Sequence, residues 1–302
     1  MKITNKLNLP QALVDAVSVN TRDPTTVGDI SITELLSPPR LVALRKHFAD
    51  KLEEDVSERI WSLLGQIGHG ILERANKTDI VETRFYAGFQ GWMVSGQTDS
   101  FTLEEGVLTD YKFITVYKVK DGCPQEYEEQ LNCYVTLMQM SGLKVDKAQI
   151  VAILRDWSKL QAKREPGYPQ NQVVVLDVPI RPFNERHEFI SERVKMHQEA
   201  QATLAANGQT SLVKCTDEER WKAPPAYAVM KQGQKRAVKL FPNPEAAQSF
   251  IGASSDGAKL SIDVRIGIPQ RCSSYCPVSD FCTQWQEDPD NMSNLMKGIT
   301  EE

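Results

Sequence analysis

Residues 96–113 read "GQTDSFTLEEGVLTDYKF". The segment has the form of two short strands around an acidic turn. The first strand carries Asp99, the second Asp110 and Lys112. Side chains two apart on a strand face the same way, so Asp110 and Lys112 share a face. Asp99 closes the preceding strand and can sit beside them. Two neighbouring carboxylates repel one another unless a cation lies between them. Mg²⁺ suits a site with one or two carboxylates and several waters, where a phosphate can enter. A lysine next to such an ion offsets charge developing on phosphate. A lone Asp-x-Lys on an edge hairpin is ordinarily a surface ion pair of little value, so its neighbours in the chain decide the reading.

Upstream, "DIVETRFYAGF" and "GWMVSGQTDSF" read as strands around a Gly88–Gly91 turn, and "EGVLTDYKFIT" is the third strand. Before them, Val56, Ile60, Leu63, Leu64, Ile67, Ile71 and Leu72 recur at helical intervals, predicting a helix from Glu54 to Ala75 that carries His69. Pro38-Pro39 breaks any helix there. Downstream, "PQEYEEQLNCYVTLMQMSG" reads as a helix starting at Pro124 and stopping at Gly142. "AQIVAILRDW" and "QVVVLDVPI" are further strands, and "NERHEFISERVKMHQEAQATLAA" is a long amphipathic helix. The order helix, three strands, helix, two strands, helix predicts an α/β core with a mixed central sheet over 29–205. Residues 1–28 read as a lead-in and 206–302 as a separate C-terminal region. That region holds a hairpin with Gly233 in its turn, a short helix at "NPEAAQSFIGAS" and a run of cysteines.

The chain has 302 residues, 41% of them hydrophobic and 25% charged, as in globular proteins. It contains no apolar run long enough to span a bilayer, and its N-terminus lacks the apolar core of a signal peptide. A cytoplasmic protein without membrane attachment is expected. The net charge of −5 gives no global attraction to nucleic acid. Any DNA contact must use a local basic surface. Two stretches offer one: "LRDWSKLQAKREPGYP" (154–169), and 214–239 with seven Lys/Arg against three Asp/Glu. On charge alone each is equally well a solvated surface.

"GQTD…TDYK" resembles the core motif of the PD-(D/E)XK nucleases. "QLNCY" is similar to the Gln-x-x-x-Tyr element of their RecB-like branch. Gln130 and Tyr134 are four apart and so share a helix face. His69 in "GHGILER" corresponds to the upstream histidine of that branch, and the elements occur in the family's order over 31–160. Thr98 stands where the family name has proline. The resemblance implies a restriction-endonuclease-like core acting as a Mg²⁺- or Mn²⁺-dependent deoxyribonuclease, in particular an exonuclease. It implies Asp99 and Asp110 as metal carboxylates, with the Tyr111 carbonyl and His69 completing the site. Lys112 would be the catalytic lysine, and Gln130 and Tyr134 would hold the catalytic region or the DNA. Glu82 in "VETRF" is a further acid near this set, read first as structural. The layout also resembles phage or prophage exonucleases, which implies DNA and a phage recombination or single-strand-binding protein as partners in the bacterial host cytoplasm. A non-catalytic DNA-binding accessory on the same fold is the alternative. The motifs do not specify oligomeric state.

Six cysteines in a reducing compartment are not a disulfide framework. Cys272-x3-Cys276-x5-Cys282 crowds three of them into eleven residues. Thiolates so spaced suit a tetrahedral metal or an iron–sulfur cluster. Both need a fourth ligand, and Cys215 is the first choice, ahead of Cys123 and Cys133. Several RecB-like nucleases carry a [4Fe-4S] cluster on three cysteines after the core and one far upstream. This chain has no cysteine before residue 123, so Cys215 would replace the upstream ligand, and Zn²⁺ is the competing occupant. Trp221 and Tyr227 could stack on bases beside the basic residues of this region.

Overall fold

The computed structural model describes residues 2–18, 28–75, 79–254, 257–289 and 291. The chain divides into two compact units, Met1–Ala205 and Ala206–Glu302.

In chain order the first unit comprises β1 (Lys2–Thr4), α1 (Gln11–Ser18), β2 (Ile30–Ser31), α2 (Ile32–Leu35), α3 (Pro39–His47), β3 (Glu53–Asp55), α4 (Ile60–Ala75), β4 (Ile80–Phe89), β5 (Trp92–Thr102), β6 (Val107–Ile114), α5 (Gln125–Met140), β7 (Lys147–Leu154), α6 (Lys159–Arg164), β8 (Val173–Val178) and α7 (Phe183–Asn207). The last turn of α7 crosses the division. Six of the strands form one mixed sheet. β5 pairs antiparallel with β4 along its length, β6 runs parallel to β7, and β8 closes the edge antiparallel to β7. The β4–β5 turn is Gln90-Gly91, both at positive φ, the conformation that matches hairpin twist.

The central strands explain the layers. Along β7, Ala148, Ile150, Ala152 and Leu154 are buried while alternate residues are only partly so. Their buried face packs with Leu131, Val135 and Met138 of α5 and with Phe101 and Leu108. Each such side chain contributes roughly 1.5–3 kcal/mol when fully buried. The opposite face receives α4. Gly68 stands directly on the ring of Phe113, where a Cβ would come within 2.2 Å of ring carbon. A glycine in mid-helix costs about 1 kcal/mol relative to alanine, and here it permits that close approach.

Two local features differ from the sequence expectation. The helix carrying His69 begins at Ile60, not Glu54. Asp55 instead accepts hydrogen bonds from the Lys6 and Ser57 amides and the Thr4 hydroxyl, which hold it in β3 beside β1 and start a 3₁₀ turn at Val56–Arg59. The N-terminal segment is thus pinned to the first unit through β1. Residues 159–164 of the basic stretch form the short helix α6, capped by Ser158, with Lys159, Lys163 and Arg164 exposed.

The second unit is built on a three-stranded antiparallel sheet: β9 (Ala226–Lys231), β10 (Ala237–Phe241) and β11 (Leu260–Arg265), with β9 central. Gly233 turns the hairpin at φ +81°. Helix α8 (Pro244–Ala253) is capped by the Asn243 side chain, with proline at its first position, and stacks Phe250 on Phe241 at 5.3 Å between ring centroids. A π-turn at Arg271–Tyr275, a 3₁₀ turn at Ser279–Phe281 and α9 (Thr283–Gln286) carry the cysteine run. Among the described residues, no helix is long and apolar enough to cross a membrane.

Candidate metal centre

The ladder between β5 and β6 pairs Thr102 with Val107, Phe101 with Leu108 and Ser100 with Thr109, then stops. The next pair would be Asp99 with Asp110. The strands fork at these two residues. Farther along the same edge of β5, β2 takes over, pairing Ile30–Ser31 with Val94–Ser95. The stretch Gly96–Asp99 therefore borders a gap between β2 and β6. The Tyr111 amide, released from the ladder, donates to Asp99 Oδ2 at 2.7 Å.

On the β4 side, Glu82 sits at φ +45°, between the pairs Val81–Ser100 and Thr83–Thr98. A left-handed conformation is uncommon for a non-glycine residue. It places the Glu82 carboxylate toward Asp99, where Oε2 accepts from Gln97 Nε2 at 2.6 Å. Gln97 is in turn held by Arg84 at 2.7 Å. His69 Nδ1, from α4, lies 3.3 Å from Asp99 Oδ2 and 3.8 Å from Glu82 Oε1. Among the described residues, His69, Glu82 and Asp99 form the set of three metal-ligating side chains whose ligand atoms all lie within 4.8 Å of one another. The same residues line a small cavity with Leu72, Ser100 and Tyr111.

Asp110 and Lys112 point to the α5 side. Asp110 is 3% exposed. Lys112 Nζ lies 2.7 Å from Asp110 Oδ2 and donates to Oδ1 and to Gln130 Oε1, each at 3.0 Å. Gln130 Nε2 donates to Tyr134 Oη at 2.9 Å. Asp110 Oδ2 receives no hydrogen bond of sound angle despite its burial. Tyr134 packs across Gly96, where a Cβ would come within 2.8 Å of the Tyr134 ring and 2.5 Å of Ile32 Cδ1. The glycine three residues before Asp99 thus makes room for the tyrosine that orients Gln130.

The electrostatics match the geometry. Burial, then the Asp110 charge, and to a smaller extent Glu82 push the Asp99 carboxyl up to about 8, against the Tyr111 amide and Lys112. Burial and Asp110 likewise raise the Tyr134 phenol, which stays protonated. Three acids crowd one fork, and the Lys112 ammonium is paired with Asp110, which leaves Asp99 and Glu82 in mutual repulsion. A divalent cation would relieve it, so these residues fit one. The fork brings His69, Glu82 and Asp99 within ligand distance, with the Tyr111 amide on Asp99, while Asp110, Lys112, Gln130 and Tyr134 form a second chain of contacts on the α5 side, and the Asp110 charge reaches Asp99. Glu82 belongs to the first of these groups. Its sequence signal is only an acid opposite Asp99 on the neighbouring strand, because alternation does not reveal a left-handed backbone position.

The cysteines are organised differently. The Cys215 amide donates to Gln284 Oε1 at 2.8 Å, and Gln284 Nε2 donates to the Cys215 carbonyl at 2.9 Å. That reciprocal pair ties Cys215 to the segment just after Cys282. Cys272 and Cys276 are half-buried, and burial raises both thiols. Arg220 works against this at Cys272, and it is paired with the buried Asp288. Cys272, Cys276 and Cys282 are near enough to act on one another electrostatically. Among the described residues they do not form a set of three within 4.8 Å. Cys133 is buried in the core on α5, its thiol pushed up to about 12 by burial. Cys123 lies partly buried before Pro124, at the start of that helix. Trp221 is exposed and packs on Tyr275 at 5.5 Å.

No family model matches the chain, and no curated protein matches it. Among solved structures it is similar to SSO0001, with a TM-score of 0.40 and 15% identity over 62% of this chain and 84% of that one. It is also similar to a phage-related exonuclease from Haemophilus somnus 129PT, with a TM-score of 0.35 and 18% identity over 56% of this chain and 81% of that one. Both likenesses are partial and distant, and the roles given below rest on the side chains themselves.

Proposed function

We propose that this chain is a divalent-metal-dependent DNA nuclease of the PD-(D/E)XK type, in its RecB-like branch, acting as an exonuclease. The observation that carries the proposal is the fork. The β5–β6 ladder ends where Asp99 would face Asp110, and a lysine bridging Asp110 and Gln130 stands two residues on.

Asp99, Asp110, His69 and the Tyr111 carbonyl would hold Mg²⁺ or Mn²⁺, with Glu82 as an additional or water-mediated ligand. The ion, when bound, supplies Lewis acidity toward a phosphodiester and lowers the pKa of a coordinated water. The protein's own part is positional. Lys112 brings a fixed positive charge to the fork, where it offsets charge developing on the scissile phosphate. Gln130, aligned by Tyr134, keeps the ammonium from folding wholly onto Asp110. The Tyr111 amide fixes the Asp99 carboxylate in the plane of the gap. In the second unit we assign Cys215, Cys272, Cys276 and Cys282 to a [4Fe-4S] cluster with a structural role, since hydrolysis moves no electrons. Supporting a shared thiolate site are the Gln284 tie that brings Cys215 to the segment after Cys282 and the mutual electrostatic influence of Cys272, Cys276 and Cys282, with Zn²⁺ as the competing occupant. A recombination or single-strand-binding protein would be the natural partner for such an enzyme, in the cytoplasm of a phage's bacterial host.

The test is cleavage of end-labelled linear and closed circular DNA in Mg²⁺ and in Mn²⁺, comparing wild type with Lys112→Ala. Loss of linear DNA alone, abolished by the substitution, supports an exonuclease. Cutting of circles makes it an endonuclease. Metal-dependent cleavage that survives Lys112→Ala would sink the assignment, and DNA binding without turnover would favour an accessory protein.

A further inference from the structure

One large aromatic on the first unit is left in solvent close to the fork. Trp61, in the first turn of α4, is 64% exposed, although tryptophan ordinarily buries most of its surface. The Arg155 guanidinium lies over its ring at 4.2 Å. Arg155 belongs to the basic stretch 154–169, which the nuclease reading does not use. Its amide donates to the Ile114 carbonyl at 3.0 Å. Ile114 is two residues past Lys112 on β6, roughly 7 Å along the strand, about the rise of two stacked bases. Gly68, on the same helix as Trp61, is locked against Phe113. The stack is therefore fixed to the catalytic strand from both sides.

The chemistry of this pair suits an unpaired base. An arginine stacked on an indole leaves the second face of its guanidinium open and its N–H edge free to meet phosphate. Unstacked bases settle on aromatic rings and guanidinium planes, whereas bases within a duplex have both faces covered. Two of the nearby acids are engaged elsewhere. Asp156 accepts the Val116 amide at 2.7 Å, and Glu126 pairs with Lys118 at 2.8 Å. Next to Lys118, Tyr117 is 81% exposed and offers a second ring at the same end of β6.

We infer that Trp61 and Arg155 form a stacking platform that receives an unpaired base of single-stranded DNA next to the fork, so the strand enters the site unpaired. This rests on the nuclease reading of that fork, but its test separates the two. Binding of a fluorescein-labelled oligothymidylate of about 20 nucleotides would be followed by anisotropy in Ca²⁺, using the full chain. Wild type, Trp61→Ala, Trp61→Phe, Arg155→Ala and Lys112→Ala would be compared, with a duplex of equal length in parallel. Trp61→Ala should weaken single-strand binding about tenfold, the loss expected of one aromatic stacking contact. Trp61→Phe should restore most of it, and duplex binding should change less than about twofold. Unchanged single-strand binding in Trp61→Ala, equal weakening for single strand and duplex, or no single-strand binding by wild type would each overturn the platform. Cleavage in Mg²⁺ reports separately. A platform that binds without cleavage keeps this inference and removes the nuclease reading. Cleavage lost in Lys112→Ala alongside indifferent Trp61 variants does the reverse.

Discussion

The fork and the cysteine run are both ligand-rich regions, and they are built in opposite ways. At the fork every charged side chain is held by the protein: Asp99 by the Tyr111 amide, Asp110 by Lys112, Lys112 by Gln130, Glu82 by Gln97. The ligands lie on long strands and on helices whose other faces form the main core. The cysteines lie on single turns and in the bends between them. Their ties include the Gln284 clasp on Cys215, the Arg220–Asp288 pair and the hydrogen bonds of Arg271 to the Glu219 and Arg220 carbonyls. A site of the first kind is folded before its ion arrives. A site of the second kind, built on the proposed thiolate-bound group, would be folded by what it binds.

That contrast can be broken or sharpened by experiment, beginning with the largest effect. Lys112→Ala and Asp110→Asn should each lower cleavage by about a thousandfold or more, the scale of losing an electrostatic stabiliser in a water-poor site. Thermal unfolding of the first unit should hardly move in Asp110→Asn, whereas Lys112→Ala leaves the buried Asp110 without its ammonium and should lower Tm by a few degrees. A large fall in Tm would instead make the fork a structural feature. The cysteines should behave the other way. Cys272→Ala, or stripping the thiolate-bound metal, should cost the second unit its cooperative transition in calorimetry, while that of the first unit remains. If both units melt unchanged, the thiols hold nothing that matters for folding.

A third test acts on the scaffold. Gly96→Ala would drive a methyl into the Tyr134 ring, and overpacking of this kind costs about 1–3 kcal/mol. Urea unfolding should show that loss, and cleavage should fall with it because Tyr134 aligns Gln130. Wild-type activity would mean that the tyrosine orients nothing.

The smallest effect is the most diagnostic of charge. The Asp99 carboxyl titrates near 8 in the folded chain, against about 3.9 when unfolded. A raised folded value contributes stability that is full below the unfolded value and is lost as pH rises through the folded one. Metal-free protein should therefore lose Tm steadily between about pH 4 and 8. Asp99→Asn should abolish that slope and be several degrees more stable than wild type at pH 8 without metal. Mg²⁺ should close the gap by stabilising only the wild type. Parallel pH curves for the two proteins would show that the repulsion is absent.

Much of this arrangement was legible because it follows two periods. Asp110 and Lys112 share a strand face at spacing two, and Gln130 and Tyr134 share a helix face at spacing four. What stayed hidden lay off those periods. Glu82 reaches the fork through a left-handed backbone position that skips one pair of the β4–β5 ladder. Strand β11 was unforeseen because it lies at the edge of a small sheet and buries no continuous face, so its sequence lacks a core signature. The start of α4 was placed too early because Asp55 looks like any helix-start acid, while its partners Thr4 and Lys6 lie some fifty residues away in sequence.

The end of the β5–β6 ladder also supplies an internal reporter. The Tyr111 amide has exchanged a strand partner for the Asp99 carboxylate, so its protection from solvent exchange depends on a side chain and not on the sheet. A cation that draws Asp99 toward itself competes directly for the acceptor. In an isotope-labelled sample, the exchange rate of this single amide would then track occupancy of the fork, while its neighbours in the β6–β7 ladder stay silent.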